Sequence, residues 1–421
     1  MSDQAASAGT AVLTTADGMP LKAAQARAMR RSRIRALVLV LPLLAFVFIT
    51  FVMPIGQMLY RSIHNDSFSA NMPNLVRYFA DHEELGVPDE EGFAALAADL
   101  AAAAKAKTIG EVGTRINYEI SGSRSLFTSA GRRAATLRPP YKQAVIDLDQ
   151  AWADPELWAV MQRAAPEYTP SFYLAALDLT YGENGAIVPV PEDRQIYVAL
   201  FIRTIWLSAL ISAFCLVLAF PIAHLLATLP LRYSNMLMIF VLLPFWTSLL
   251  VRTTSWIVLL QSQGVVNNLL VAIGAIGEDG RIQMMYNQAG TLIAMTHILL
   301  PFMVLPLYSV MKTIKPSYVR AARSLGANSW TAFWRVYFPQ TAPGIGAGAL
   351  LVFILAVGYY ITPALVGGSS GQLISNLIAF HIEKSFNWSL AAALGALLLF
   401  GVLVLYWVYD RLVGINNMKL G

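Results

Sequence analysis

The sequence predicts an all-α, polytopic membrane protein with six transmembrane helices and a large, mainly helical insert between the first and second of them. Three observations support this. Hydrophobic residues make up 57% of the chain and charged residues only 13%, too apolar and too sparsely charged for an ordinary soluble domain. Six segments supply the roughly 20 apolar residues that a hydrocarbon core about 30 Å thick requires of a helix. Lys and Arg gather in alternate loops, as the positive-inside bias demands. The net charge of +5 follows from that topology, because the basic residues sit at chain ends and loops rather than in a patch with interleaved aromatics. A nucleic-acid partner is therefore not expected.

The first segment, 36–60, follows a tail, 1–35, that carries Lys22, Arg27, Arg30, Arg31, Arg33 and Arg35 against Asp3 and Asp17, which places the N-terminus in the cytoplasm. Its apolar run is long, contains Pro42 and Pro54 and is followed by no small-residue cleavage pattern, so it reads as a retained helix rather than a signal peptide. The insert, 61–195, then falls on the extracytoplasmic side. It holds most of the carboxylates, in "DHEELGVPDEEG" and "DLDQAWADPE". "EEGFAALAADLAAAAKAK" is rich in strong helix formers, and Val145, Leu148, Trp152 and Leu157 recur roughly once per helical turn. Two readings stand for it, a spacer covering the mouth of the membrane part and a docking surface for a soluble partner. His82-Glu83-Glu84 lacks the second histidine that a zinc-protease helix needs.

Five more spans are expected in a core of residues 196–414, over 198–229, 235–260, 290–311, 344–363 and 388–409. Threading them puts 230–234, with Arg232, and 312–343, with Lys312, Lys315, Arg320, Arg323 and Arg335, on the cytoplasmic side together with both termini. Loops 261–289 and 366–387 are close to neutral and fall outside. The lone Cys215 sits in an apolar run, where a small buried hydrophobe is expected.

Loop 312–343 reads as two short helices. Ser317 is the expected N-cap of the first, and Gly326 ends it in the left-handed conformation. Asn328 or Ser329 caps the second, and Pro339 and Pro343 close it before the fifth span. Ala321 and Ala322 beside Leu325 give a small face that lets another protein approach closely. A DNA-reading pair of helices is disfavoured by its anchoring between spans. A helix lying on anionic lipid suits Arg320, Arg323 and Arg335, and a rigid knob in a groove of a cytoplasmic subunit suits the small face.

Ala321-Ala322, Gly326, Val336 and Phe338-Pro339 resemble the cytoplasmic loop of permease subunits of binding-protein-dependent ABC importers, whose pattern is E-A-A, a glycine four residues on, then I-x-L-P. Arg320 stands where that pattern has glutamate, and Val336 and Phe338 replace its isoleucine and leucine. "LLPFWTSLLVRTTSWIVLLQSQGVVNNLL", "LPFMVLPLYSVMKTI", "ITPALVGG" and "LISNLI" are similar to the spermidine/putrescine group within the family, although "AVGYYITPALVGG" lacks the carboxylate that many polyamine permeases carry there. The resemblance implies a type I importer fold in a bacterial inner membrane. Its implied partners are cytoplasmic ATPase subunits that use ATP with Mg, a second permease subunit, an extracytoplasmic solute-binding protein and a small-molecule solute, with membrane lipid around the spans. No cofactor is implied in this chain. Arg320, Ala321, Ala322, Leu325, Gly326 and Pro339 are the implied ATPase-coupling positions.

No G-x-x-x-x-G-K-S/T loop is present, so this chain is expected to be a transport subunit and not the enzyme that hydrolyses ATP. Polar positions at span depth mark a substrate pathway. Arg252, with Thr253, Thr254 and Ser255, is expected to interrupt the third span, either snorkelling to the interface or lining the pathway. Trp246 and Trp256 read as pathway aromatics or as interface-belt residues. Tyr359 and Tyr360, between Gly358 and Pro363, read as an unwound stretch whose carbonyls face the solute. His224 and His297 read as hydrogen-bonded core residues, and Gly344 and Gly348 as a close-packing face. An ion-coupled secondary transporter shares the span count but calls for embedded carboxylates, which these spans almost wholly lack. A membrane-embedded enzyme calls for a nucleophile–base pair or metal cluster, and none appears at span depth.

Overall fold

The structure, a computed structural model, describes residues 21–82, 86–182 and 185–413. Glu83, Glu84, Asp3 and Asp17 lie outside the described residues, as do the side chains of Lys22 and Arg27. The chain divides into two compact units between Tyr60 and Arg61.

In the first unit, α1 (Leu21–Val47) passes through a π turn (Phe48–Val52) into α2 (Met53–Arg61). The stretch long and apolar enough to cross a membrane begins at Ala28, so Arg30, Arg31, Arg33 and Arg35 lie on the helix itself rather than in a preceding tail. The π turn stands directly before Met53-Pro54. Proline lacks an N–H and its ring crowds the carbonyl four residues back, so widening the turn lets the helix continue without a break.

In the second unit the insert comes first and is helical, in keeping with its composition. It comprises α3 (Pro73–Asp81), α4 (Glu90–Ala106), α5 (Ile109–Asn117), α6 (Ser123–Ala134), α7 (Tyr141–Ile146), α8 (Pro155–Ala164) and α9 (Ser171–Ala176). A short antiparallel hairpin, β1 (Leu179–Tyr181) with β2 (Ile187–Pro189), follows in register Thr180 to Val188. The apolar residues between 141 and 164 do not share one helix, because Asp149 and Asp154 start a new turn each by accepting from Ala151 N and Glu156 N. Val145, Trp152 and Leu157 nevertheless reach the same core, with Phe93, Leu96, Leu100, Phe127 and Trp158.

Carboxylates throughout the insert act as helix caps. Asp89 caps α4 through Gly92 N, and this hydrogen bond holds its carboxyl below the usual range. Asp99, fully buried on α4, accepts from Asn74 Nδ2 at 2.7 Å and Leu75 N at 2.8 Å, capping α3 where Met72 has no oxygen to offer. Burial pushes its carboxyl up, against the pull of those two donors. Glu90 caps α7 in the same way, from Tyr141 N and Lys142 N. These contacts satisfy the orphan N–H groups that every helix start leaves.

The membrane core is α10 (Tyr197–Thr228), α14 (Gln288–Thr313) and α17 (Phe338–Gly358), packed through Ile211, Cys215, Ala219, Met295, Leu299, Met303, Val352 and Ala356. Cys215 is buried there as expected, and Gly344 and Gly348 face α14. A Cβ at Gly344 would lie 3.1–3.2 Å from Val310 Cβ, Leu307 Cα and Pro306 O, which is the reason for glycine at this approach. The last span is α20 (Trp388–Val413).

Two expected spans differ. The third is not a straight helix: α11 (Leu231–Leu242) and a 3-10 turn (Leu243–Trp246) bend by 98° into α12 (Leu249–Leu260), which leads to α13 (Val265–Ala272). The break falls at Thr247-Ser248 and not at Arg252-Thr253-Thr254-Ser255. Those three hydroxyls fold back onto Leu249 O, Leu250 O and Val251 O, so their polarity is absorbed within an intact helix. The fifth span begins earlier than 344: α16 (Ser329–Ala332), a π turn (Phe333–Tyr337) and α17 form one apolar helix from Ser329 to Gly358. Pro339 and Pro343 therefore lie within it and do not close the preceding helix. The π turn precedes Phe338-Pro339 as the other precedes Met53-Pro54, and Gln340 Nε2 bonds the Val336 carbonyl at 2.6 Å.

Asp178 fixes the insert to the core by accepting from Ile196, Tyr197 and Val198 N at the first turn of α10. Phe172 and Ala176 of α9 also pack on Ile374, Leu390, Ala393 and Leu394. The insert thus sits at the start of α10, a helix 32 residues and so about 48 Å long.

Candidate functional site

At the other end of α10 lies the loop between α14 and α16. Its first helix, α15 (Pro316–Ser324), has Lys315 as N-cap and Pro316 at the first helical position, so Ser317 lies inside the helix rather than capping it. Proline is suited to that place by its fixed φ and missing N–H. The helix ends as expected. Gly326 has φ +93°, its N–H bonds Arg323 O, and Ala327 N bonds Ala322 O, which together form a Schellman turn. Asn328 Oδ1 then accepts from Thr331 N at 2.7 Å and starts α16.

The helical period gives α15 two faces. Tyr318, Ala321 and Leu325 are open to solvent, Leu325 being 89% exposed. Pro316, Val319, Arg320 and Arg323 line a cavity of about 660 Å³ against the ends of α10 and α14 and the π turn at Phe333. Arg320 is thus separated from Ala321 and Leu325, with which it was grouped in the sequence. Ala322 is half-buried, and Pro339 is exposed just beyond the π turn.

A second constellation forms where two helices break. α17 stops at Gly358, Tyr359 and Tyr360 link it to α18 (Ile361–Val366), and α18 packs on α12 through a buried Thr253–Thr362 hydroxyl contact of 3.3 Å. The carbonyls released by this break are taken by side chains. Ser375 Oγ donates to Tyr359 O at 2.6 Å and Asn376 Nδ2 to Tyr360 O at 2.7 Å, both from α19 (Ile374–Glu383). Unpaired carbonyls away from water are costly, so the adjacent helix takes them. Sequence reasoning missed Ser375 and Asn376, although "LISN" at a helix start is a signal for amide and hydroxyl side chains that bond backbone.

Arg252 and Trp256 lie one turn apart on α12. Trp256 Nε1 donates to His297 Nδ1 at 3.1 Å, which makes that nitrogen an acceptor and leaves the imidazole proton on Nε2. The Arg252 guanidinium acts electrostatically on both His297 and Tyr359, and its buried Nε has no hydrogen-bond partner among the described residues. His224 is likewise hydrogen-bonded, through Nδ1 to Tyr337 Oη at 2.9 Å. Tyr360 is 40% exposed beside this cluster in sequence, whereas Trp246 is 73% exposed and makes no ring contact among the described residues. Among the described residues, no three His, Cys, Asp or Glu side chains gather as a metal ion would need.

Comparison with known proteins bears on this architecture. The family of binding-protein-dependent transport system inner membrane components matches residues 205–417, which leaves the insert outside the match. The chain is 32% identical over 245 residues to the spermidine/putrescine transport system permease protein PotB of Haemophilus influenzae, covering 57% of this chain and 85% of the relative. It is 34% identical over 221 residues to PotB of Escherichia coli, covering 52% of this chain and 80% of the relative. A solved bacterial alginate ABC transporter, in complex with an alginate pentasaccharide-bound periplasmic protein, has a chain 19% identical with a TM-score of 0.43, covering 53% of this chain and 80% of that one. The extent of the family match, together with coverage of most of both PotB relatives, means that the chain belongs to the binding-protein-dependent transport system inner membrane components, the permease subunits of ABC importers.

Proposed function

We propose that this chain forms part of the membrane pathway of an importer for a polyamine-class solute, with α15 docked in a groove of a cytoplasmic ATPase subunit that binds ATP with Mg. A second permease subunit completes the pathway, and a solute-binding protein delivers to the side bearing the insert. The basic loop residues favour a cytoplasmic position for α15 and both termini. One observation carries the mechanical reading: the helix that leaves the hook at Ser329 runs without interruption to Gly358, where the pathway break begins. A rigid rod about 45 Å long joins the two places, so displacement of α15 by a closing ATPase dimer moves the Tyr359–Tyr360 break as a body. Trp256, Tyr359 and Tyr360 offer aromatic faces on which an ammonium group stacks.

Arg252 supports a second solute reading. The acidic residues of the core are Glu278, Asp279, Glu383 and Asp410, none of them on α10, α12, α14, α17 or α18. A guanidinium with a free N–H in such surroundings suits a small organic solute carrying a carboxylate.

Affinity purification of the tagged chain from cells expressing the whole transporter, followed by uptake in vesicles, tests the proposal. Recovery of an ATPase subunit and ATP-dependent uptake are expected. Purification alone, with uptake driven by an ion gradient, would assign the chain to secondary transport instead. Competition by polyamines against amino-carboxylates at the cognate binding protein separates the two solute readings.

A further inference from the structure

The cavity behind α15 carries charge on the side of that helix away from Ala321 and Leu325. Lys312, Lys315, Arg320 and Arg323 line it, and no carboxylate does. None of the four forms an ion pair among the described residues; Lys312 Nζ reaches only the Ala227 carbonyl, at 3.4 Å. The acids nearest in sequence, Asp279 and Glu383, belong to the opposite end of α14 and to α19. Four like charges around one space repel each other unless an anion enters.

The remaining walls are mainly apolar, Ala227, Met311, Ile314, Pro316, Val319 and Phe333, with His224, Thr228, Ser329 and Tyr337 among them. The cavity opens at the ends of two spans, beside a stretch in which Leu225, Leu231 and Tyr233 are 47%, 65% and 55% exposed. These features call for a ligand with both an anionic group and a hydrocarbon part, located where span ends meet the membrane surface. A free phosphate would match the cations but leave the apolar walls bare.

We propose that this cavity binds an anionic phospholipid, its phosphate between Lys312, Lys315, Arg320 and Arg323 and its acyl chains against Met311, Ile314 and Phe333. Basic pockets between spans on the cytoplasmic side are suited to such headgroups. Because α15 forms one wall, the bound lipid holds the hook against the ends of α10 and α14 and makes coupling depend on the anionic content of the bilayer. The placement on the cytoplasmic side rests on the proposed importer orientation.

The test uses the intact complex, purified with its ATPase from detergent, and native mass spectrometry of the phosphatidylglycerol it retains from mixed phosphatidylglycerol–phosphatidylcholine vesicles. Each lysine near an anionic headgroup contributes about fivefold in affinity, so the Lys312→Gln, Lys315→Gln double variant is expected to retain about 30-fold less phosphatidylglycerol. The Lys312→Arg, Lys315→Arg variant should retain it as the unaltered chain does, which separates loss of charge from loss of fold. Equal retention of phosphatidylglycerol by the Gln and unaltered chains, or no preference over phosphatidylcholine, would overturn the proposal. Displacement by inorganic phosphate would reassign the site to a free anion, and retention of phosphatidylglycerol only after the ATPase is stripped from the complex would reassign the cations to that subunit; either outcome overturns it. ATPase recovery in the same preparation reports separately on the importer reading.

Discussion

Gly326 is the position at which the coupling reading is most sharply exposed. Its φ of +93° is a conformation that L side chains rarely adopt, yet a Cβ built there meets nothing within 4 Å. Replacement by alanine therefore leaves the packing of this chain untouched and acts through the backbone alone, at a cost of about 1–2 kcal/mol for a left-handed non-glycine residue. If only the Schellman form of the turn presents Tyr318, Ala321 and Leu325 to the ATPase, that cost lowers the competent population about 5- to 30-fold at the same total protein. Asparagine tolerates the left-handed region better and should recover most of the loss, whereas β-branched valine should deepen it. The assay is stimulation of ATPase activity by loaded binding protein in proteoliposomes, with insertion and co-purification measured alongside. The series Gly, Asn, Ala, Val should fall in that order while insertion stays constant. Equal coupling in all four would refute the role of the turn. A loss that follows side-chain volume, with Asn worse than Ala, would show that the glycine is needed for contact with the partner and not for its φ.

Further outcomes follow from the geometry. Gly344→Ala forces a Cβ against α14 backbone and should cost about 1–3 kcal/mol in thermal unfolding of the detergent-solubilised chain. Gly348→Ala should cost less, because its first obstacle, Met303 Sδ at 2.6 Å, belongs to a flexible side chain that can turn aside. Asn376→Leu strips the donor from Tyr360 O and leaves a carbonyl unpaired, which should cost about 1–3 kcal/mol and raise hydrogen exchange in α18 and α19, whereas Asn376→Gln should lose less. Asp99→Leu removes two accepted hydrogen bonds from the start of α3 and should destabilise the insert by about 1–3 kcal/mol; Asp99→Asn should be mild, since Asn74 can turn its amide to present an oxygen. The Asp99 carboxyl is raised by burial, so its contribution to stability is fully present below the unfolded carboxylate value and is lost as pH rises through the folded one. Chemical or thermal melts of the Asp99→Asn chain across that window should show a weaker fall with pH, and an unchanged slope would remove Asp99 as its source.

Much of the membrane part was legible along the chain because its signals are local. Span composition, the left-handed Gly326 and the Asn328 cap each depend on residues within a turn or two, and the structure has the capped hook where the sequence placed it. Proline was read less well. By type Pro339 and Pro343 signal helix stops, but π geometry upstream and the Gln340 side chain keep the helix whole, and neither depends on proline alone. Arg252-Thr253-Thr254-Ser255 looked like a break for a similar reason: hydroxyls that bond their own helix are indistinguishable in sequence from hydroxyls that line a pathway.

An all-α chain of apolar spans, a helical insert rich in acids and a small-faced hook can be read along the chain, because burial in lipid and helix punctuation are written in residue type and spacing. Packing in three dimensions makes Asp99 and Glu90 cap helices far from them in sequence, and brings Ser375 and Asn376 to the carbonyls of the Tyr359–Tyr360 break. It also separated Arg320 from Ala321 and Leu325 and placed it with Lys312 and Lys315 around one cavity. The physical reason is common to all of these: a polar group is satisfied by whatever the fold brings within about 3 Å of it, and sequence spacing does not record which helices will become neighbours.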